Sequence, residues 1–317
     1  MSKAKGPVIA ICYDFDGTLS PGNMQEYNYI PNFDIGPKEF WDQAELLARE
    51  QNADGILAYM CLMIEKATRE SGVQITRDAF RRCGAQVELF EGVPEWFDRI
   101  TEYGKQNGAK VEHYIISSGI KEMIEGTPIF GKFKKVYASS FMYNQHGVAC
   151  WPAHAINYTT KTQFLFRINK GFLDESDNSK INNFIPKDER PVPFTRMIYI
   201  GDGSTDIPCM KLVKDQGGYS IAVYKPRKTT TAEKLMAEDR VNIVVPAIYT
   251  DGSPIDYQVK AVIKKMVADF MVDKGPPKAR RTRAAEIDLS APAIVEDLAR
   301  FDGLPRSISP EGEQVKT

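Results

Sequence analysis

The residues Val8-Ile-Ala-Ile-Cys-Tyr13-Asp14-Phe-Asp16-Gly17-Thr18-Leu19 decide the fold. The first six form a short apolar run of the kind that builds a strand covered on both faces. Two carboxylates follow at its C-terminal end, one residue apart. Successive strand residues point to opposite faces, so Asp14 and Asp16 share one face and can converge on one place. Two negative charges that close repel unless a cation or a shared proton offsets them. In an open α/β sheet, the carboxyl ends of the strands are where ligands bind. The plain alternative for these residues is a polar turn, with Asp16-Gly17 as ordinary turn chemistry.

Outward from this stretch the pattern changes twice. Residues 37–51 and 54–71 repeat apolar side chains at helical spacing, with Phe40, Ala44 and Leu47 in the first and Ile56, Met60, Met63 and Ala67 in the second. Gly72 is a stop, and Thr76 caps a third helix to about Cys83. No strand interrupts this block, so residues 21–86 are expected to be a small all-helical insertion. From Val87 the chain returns to strand-and-helix alternation. Pro94 opens a helix, and strands are expected near 112–117, 134–138, 196–200, 219–223 and 241–245. Asn144-Gln-His-Gly147 between apolar runs reads as a hairpin. Helices are expected near 160–168, 207–214, 232–238 and 255–272, and an exposed polar loop over 174–193. Such alternation implies a Rossmann-like, mainly parallel sheet with helices on both faces. The core is thus assigned to residues 1–20 and 87–273, and the tail to 274–317. The basic run Lys274–Arg283 reads as a solvated tail, and Ala291–Phe301 carries an apolar stripe (Ile294, Val295, Leu298, Phe301).

Composition narrows the function classes. Across 317 residues, 43% are hydrophobic and 26% charged, with a net charge of −1, values typical of a soluble globular chain. No nucleic-acid or membrane partner is expected. The N-terminus shows no signal-peptide core. Five scattered cysteines (Cys12, Cys61, Cys83, Cys150, Cys209) read as reduced thiols, and the expected location is cytoplasmic.

Further motifs join the first in chain order: Ser117, Lys161, and Gly201-Asp202-Gly203-Ser204-Thr205-Asp206. With Asp14-Phe-Asp-Gly-Thr-Leu, the set resembles the haloacid dehalogenase (HAD) superfamily over about residues 6–272. An all-helical insertion between the first and second motifs resembles the C1 cap of its phosphoserine-phosphatase-like branch.

The resemblance implies a reaction and roles. Asp14 would attack phosphorus and carry an aspartyl-phosphate, a step open to a carboxylate already ionised at neutral pH. Asp16 would protonate the leaving alcohol and then deprotonate water. An aspartate at this second position argues for phosphoryl chemistry over carbon–halogen cleavage, because dehalogenases of the superfamily lack it. Ser117 would donate to the transferring phosphoryl group, aided by backbone donors near Ser118 and Gly119. Ser118 is the alternative register for Ser117. Lys161 would neutralise Asp14 and the phosphate, with Lys170 and Lys132 as competing lysines. Asp202, Asp14 and the backbone carbonyl of Asp16 would hold Mg²⁺, and Asp206 would fix a coordinated water. Helix-cap or glycine-turn roles are the plainer readings of Ser117 and of the 201–206 stretch.

A cap favours a small phosphorylated metabolite over a macromolecule. Glu26, Tyr27, Tyr29 and Arg49 are candidates to face the pocket, with cap packing the plainer role of the tyrosines. Phosphoserine phosphatases carry a cap-entry glutamate nearer the first motif, where this chain has Asn23. Ser204-Thr205 stands where that branch has Ala-Asn. The expected activity is therefore a Mg²⁺-dependent phosphatase of a small phosphomonoester. A phosphotransferase or phosphomutase, or a non-catalytic phosphate-binding regulatory module, are the alternatives. Oligomeric state is not legible.

Overall fold

The computed structural model describes residues 6–69, 72–226 and 229–274. Its central strand is β1, Val8–Tyr13, whose side chains are buried on both faces from Ile9 onward. β1 pairs in parallel with β2 (Lys110–Ile120) on one side and β5 (Met197–Gly201) on the other. With β3 (Lys135–Tyr143), β4 (Ala149–His154), β6 (Tyr219–Tyr224) and β7 (Ile243–Pro246), the sheet order is β4-β3-β2-β1-β5-β6-β7. All neighbours are parallel except β4, which forms an antiparallel hairpin with β3. The chain leaves β1 toward β2 and leaves β5 toward β6. The strand order therefore reverses between β1 and β5, which makes their carboxyl ends a switch point where a crevice opens.

Alternation along β1 sorts the helices. Ile9, Ile11 and Tyr13 pack with α5 (Val93–Gln106) and α10 (Pro254–Lys274). Ala10 and Cys12 pack with α7 (Lys161–Lys170), α8 (Ile207–Asp215) and α9 (Thr230–Ala237). The mainly parallel α/β sheet with helices on both faces is as expected from the sequence. Among the described residues, no helix is long and apolar enough to cross a membrane.

Between β1 and α5 the regular elements among the described residues are all helical: α1 (Gln25–Asn28), a 3-10 turn (Ile30–Asn32), α2 (Pro37–Gln51), α3 (Gly55–Arg69) and α4 (Arg77–Gly84). Thr76 caps α4 through its hydroxyl, which accepts from Ala79 N at 3.2 Å. Tyr29, Phe33, Phe40 and Phe80 form an aromatic centre for this block. Phe80 then stacks on Phe141 of β3, with ring centroids 5.4 Å apart. α4 also lies against α6 (Lys121–Gly126) with backbones in contact. A Cβ at Gly84 or Gly126 would collide with the carbonyl oxygen opposite, so both positions require glycine.

Some elements depart from the sequence reading. α1 and α6 have four and six residues, too few for periodicity to reveal. The 174–193 loop is exposed in large part, yet it folds around Arg167, which is buried. Arg167 Nη1 donates to the carbonyls of Asp174 (2.7 Å) and Asp177 (3.0 Å), and Nη2 to Asn178 Oδ1 (2.5 Å). The Ala291–Phe301 stripe and the basic run beyond Lys274 lie outside the described residues.

Candidate active site

β1 ends at Tyr13, and Asp14 N extends the ladder by donating to Ile200 O of β5 at 2.9 Å. That bond places the Asp14 carboxylate at the switch point, beside the turn that follows β5. One carboxylate oxygen, Oδ1, accepts from Phe15 N at 2.8 Å. The other, Oδ2, lies 3.0 Å from Lys161 Nζ. Gly17 has φ of 76°, and a Cβ there would collide with the Asp202 carboxylate. The glycine after the two acids thus serves both the turn and the approach of a third acid.

Lys161 is the first residue of α7 and is fully buried. Its ammonium bridges Asp14 and Asp206, at 2.7 Å from Asp206 Oδ1. The same oxygen accepts from Tyr199 OH at 2.7 Å, and Asp206 Oδ2 accepts from Gly203 N at 3.3 Å. Burial alone would lower the Lys161 pKa, but the two carboxylates override it and raise it. The competing lysines sit elsewhere: Lys132 pairs with Asp98 at 2.6 Å, and Lys170 donates to the carbonyls of Ile181 and Asn183.

Asp14 and Asp16 line one cavity, but Asp16 turns toward the helical block. Its Oδ1 accepts from Met24 N at 2.9 Å. Burial, then the nearby Asp14, raises its carboxyl well above the usual range. Ser117 is buried near the end of β2, where the pairing with β3 slips between Ser117 and Ile120. Its Oγ accepts from Gly119 N at 3.0 Å, which leaves the hydroxyl proton free to donate. Ser118 Oγ is also buried without a partner, so both serines offer a donor.

Carboxylate oxygens of Asp14, Asp202 and Asp206 lie within 4.8 Å of one another. Burial, then Asp206 and Asp14, pushes the Asp202 carboxyl up to about 8 against the opposing effect of Lys161. Asp14 is raised in the same way, by burial first and then by Asp206. Lys161 pairs with Asp14 and Asp206, and among the described residues no ion pair meets Asp16 or Asp202, so the cluster is short of positive charge. Closely grouped hard oxygen donors lacking countercharge are the donor set that Mg²⁺ takes.

A cavity of about 480 Å³ opens over these groups. The core side supplies Asp14, Asp16, Ser117, Ser118, Gly119 and Asp202; the helical block supplies Asn23, Gln25, Glu26, Trp41, Ile56 and Tyr59. Glu26 therefore faces the pocket, its Oε1 accepting from Trp41 Nε1 (2.7 Å) and Asn23 Nδ2 (2.6 Å). Tyr59 OH donates to Ser118 O at 2.7 Å, and Asn157 Nδ2 donates to Asp54 Oδ2 at 2.8 Å. Both bonds tie the helical block to the core.

Three of the candidate pocket residues are placed differently. Tyr29 is buried in the aromatic centre, its OH donating to Met63 O at 3.1 Å. Tyr27 does not line the cavity; it follows Gln25 by two, and such residues do not share a helix face. Its OH accepts instead from Ser20 Oγ at 3.3 Å. Arg49 points to solvent beside Glu45, 3.9 Å away. It lies five residues beyond buried Ala44, a rotation of about 140° from that face. The residues that α2 and α3 do contribute, Trp41, Ile56 and Tyr59, carry no sequence signal separating them from ordinary core. Cys12, two residues before Asp14, is a buried thiol whose pKa burial raises, which makes it packing and not nucleophile.

Residues 11–211 match the haloacid dehalogenase-like hydrolase family, and the chain belongs to that family. An uncharacterized protein of Borreliella burgdorferi is 28% identical over 274 residues, covering 78% of this chain and 94% of that one. Among solved structures, the HAD family hydrolase t0658 from Salmonella enterica serovar Typhi is similar at 14% identity with a TM-score of 0.52. That match covers 81% of this chain and 72% of the hydrolase. A probable phosphoserine phosphatase from Vibrio cholerae has 11% identity and a TM-score of 0.51, covering 84% and 68%. At these identities the structural likenesses speak for the fold alone.

Proposed function

We propose that this hydrolase is a Mg²⁺-dependent phosphatase that cleaves a small phosphomonoester through an aspartyl-phosphate on Asp14. The observation that carries the reading is Asp14 itself. It is a carboxylate at the floor of the cavity, paired at 3.0 Å with a buried ammonium and followed two residues later by a second acid.

Lys161 keeps Asp14 ionised and offers its charge to the incoming phosphoryl group. The Ser117 hydroxyl, held by Gly119 N, and the free Ser118 hydroxyl would orient the phosphoryl oxygens. An Asp14 oxygen attacks phosphorus, the ester P–O bond breaks, and the Asp16 carboxylic proton passes to the departing alkoxide. In the second half, water attacks phosphorus as its proton passes to the Asp16 carboxylate. The Asp14–phosphorus bond then breaks and phosphate leaves. The raised Asp16 carboxyl suits a group that must hold a proton before the first step. Asp14, Asp202 and the Asp16 backbone carbonyl would hold Mg²⁺, with Asp206 fixing a coordinated water. The ion would supply positive charge against the negative charge on the phosphoryl oxygens.

The helical block lines one side of the cavity and would limit it to a small substrate. A phosphorylated metabolite is thus the partner we favour, with neither nucleic acid nor membrane engaged. Five free thiols accord with a cytoplasmic setting. Phosphate release from an aryl phosphate, measured with and without Mg²⁺ for wild type and Asp14→Asn, tests the reading. Metal-dependent release lost in the variant is expected. Release that survives Asp14→Asn would overturn it, and delivery of phosphate to an added alcohol in preference to water would point to a transferase.

A further inference from the structure

Lys225 stands apart from the other charged groups around the cavity. It follows β6, which lies beside β5 with Ala222 opposite Gly201. The C-terminal end of β6 therefore rises next to the Asp202–Thr205 turn, and Lys225 lines the cavity with Asp202, Gly203, Ser204 and Thr205. Every other charged lining residue is an acid: Asp14, Asp16, Glu26 and Asp202. Among the described residues, no carboxylate pairs with Lys225, although the chain is half-buried there.

Nearby cations differ in this respect. Lys161 is held between Asp14 and Asp206. A neighbouring cavity of about 320 Å³ shares Ser204 with the first. Its Lys234 and Arg240 both pair with Glu238, at 3.8 and 2.7 Å. Lys225 lines the cavity with its stem half-buried, and its ammonium, which has no carboxylate partner among the described residues, is open to an anion that enters. β6 lies two strands from β1, roughly 10 Å at ordinary strand spacing. Lys225 is thus set to meet a group some bonds away from the phosphoryl group over Asp14.

We propose that Lys225 binds a second anionic group, a carboxylate or a second phosphate, on the far end of the substrate. The hydrolase would then select phosphomonoesters that carry another acid. This deepens the phosphatase reading and rests on it.

A matched series tests it: phenyl phosphate, 4-carboxyphenyl phosphate and 1,4-phenylene bisphosphate, with wild type, Lys225→Gln and Lys225→Arg. In wild type, kcat/KM for at least one of the two acid-bearing esters exceeds that for phenyl phosphate by about tenfold or more, the worth of one hydrogen bond to a charged group. The ester preferred identifies which anion is read. In Lys225→Gln that ratio collapses about tenfold, and Lys225→Arg retains most of it. A ratio unchanged in Lys225→Gln overturns the proposal, whether or not both rates fall. Binding is measured in parallel by calorimetry with benzylphosphonate and 4-carboxybenzylphosphonate in Mg²⁺. Loss of the carboxylate preference on Lys225→Gln supports the proposal even without turnover, whereas absent turnover alone counts against the phosphatase reading.

Discussion

Lys161 Nζ lies between two carboxylates, 2.7 Å from Asp206 and 3.0 Å from Asp14, so one buried ammonium is shared by the second acid of the 201–206 motif and by the candidate nucleophile. Replacing it by methionine removes the charge and leaves two buried acids uncompensated. The expected loss is about 3–5 kcal/mol of stability in metal-free protein. kcat falls by about 10²–10³-fold, the usual effect of removing a donor at developing charge. Arginine is not expected to rescue, because its planar fork does not fit a site shaped for a compact ammonium. Denaturant unfolding and steady-state kinetics check both parts.

Asp202 gives a pH signature. Its folded value, about 8, lies above the 3.8 of the free side chain, raised by burial and then by Asp206 and Asp14. The group therefore favours the fold below pH 3.8, and that contribution is lost as pH rises through about 8. Metal-free melting temperature should fall across this window, and Asp202→Asn should flatten the decline. Added Mg²⁺ should restore stability at the alkaline end in wild type and far less in the variant. Parallel pH curves for the two proteins would contradict this account.

Glu175 has the opposite sign in a different window. Burial would raise its carboxyl, but hydrogen bonds from Lys121 and Lys135 outweigh burial and hold it at about 2. Its stabilisation is present above the ordinary 4.5 and is lost as pH falls toward about 2. Glu175→Gln is expected to cost about 1–3 kcal/mol at neutral pH. The gap from wild type should close as the solution is acidified, which denaturant titrations at several pH values would show.

Tyr59 links the helical block to the floor of the site through Ser118 O. Tyr59→Phe deletes that one bond, worth about 1 kcal/mol, and should lower kcat/KM by roughly fivefold while the fold stays intact. A variant with wild-type kinetics on the aryl phosphate would show that the tie does not hold the block over the site.

What was legible in the sequence was what is local. β1, the two acids and Gly17 form one continuous stretch, so strand, turn and site could be read together. The 201–206 motif repeats that arrangement at the end of β5. Lys161 was legible because it opens a helix at a recognisable place in the motif order. The pocket wall was not, because it depends on how α1, α2 and α3 dock on the core. Glu26 faces the cavity while Tyr27, one residue on, does not, and a four-residue helix gives no periodicity to separate them. On α2, Trp41 and not Arg49 reaches the cavity, since only docking decides which stripe turns inward. Lys225 could not have been singled out, because its meaning lies in the acids that line the cavity with it and in its having no carboxylate partner among the described residues.

The most direct test of the central claim is to look for phosphate on Asp14. Asp16→Asn would be mixed with 4-nitrophenyl phosphate and Mg²⁺, quenched in acid and digested for peptide mass analysis. That ester needs no proton on its leaving group, and the variant has no base at Asp16 to activate water. The account predicts one phosphoryl group on the peptide that carries Asp14, absent without Mg²⁺ and absent when Asp14 is also changed to Asn. Turnover of the ester by wild type with no phosphoryl group on that peptide, or with the group on another residue, would contradict it.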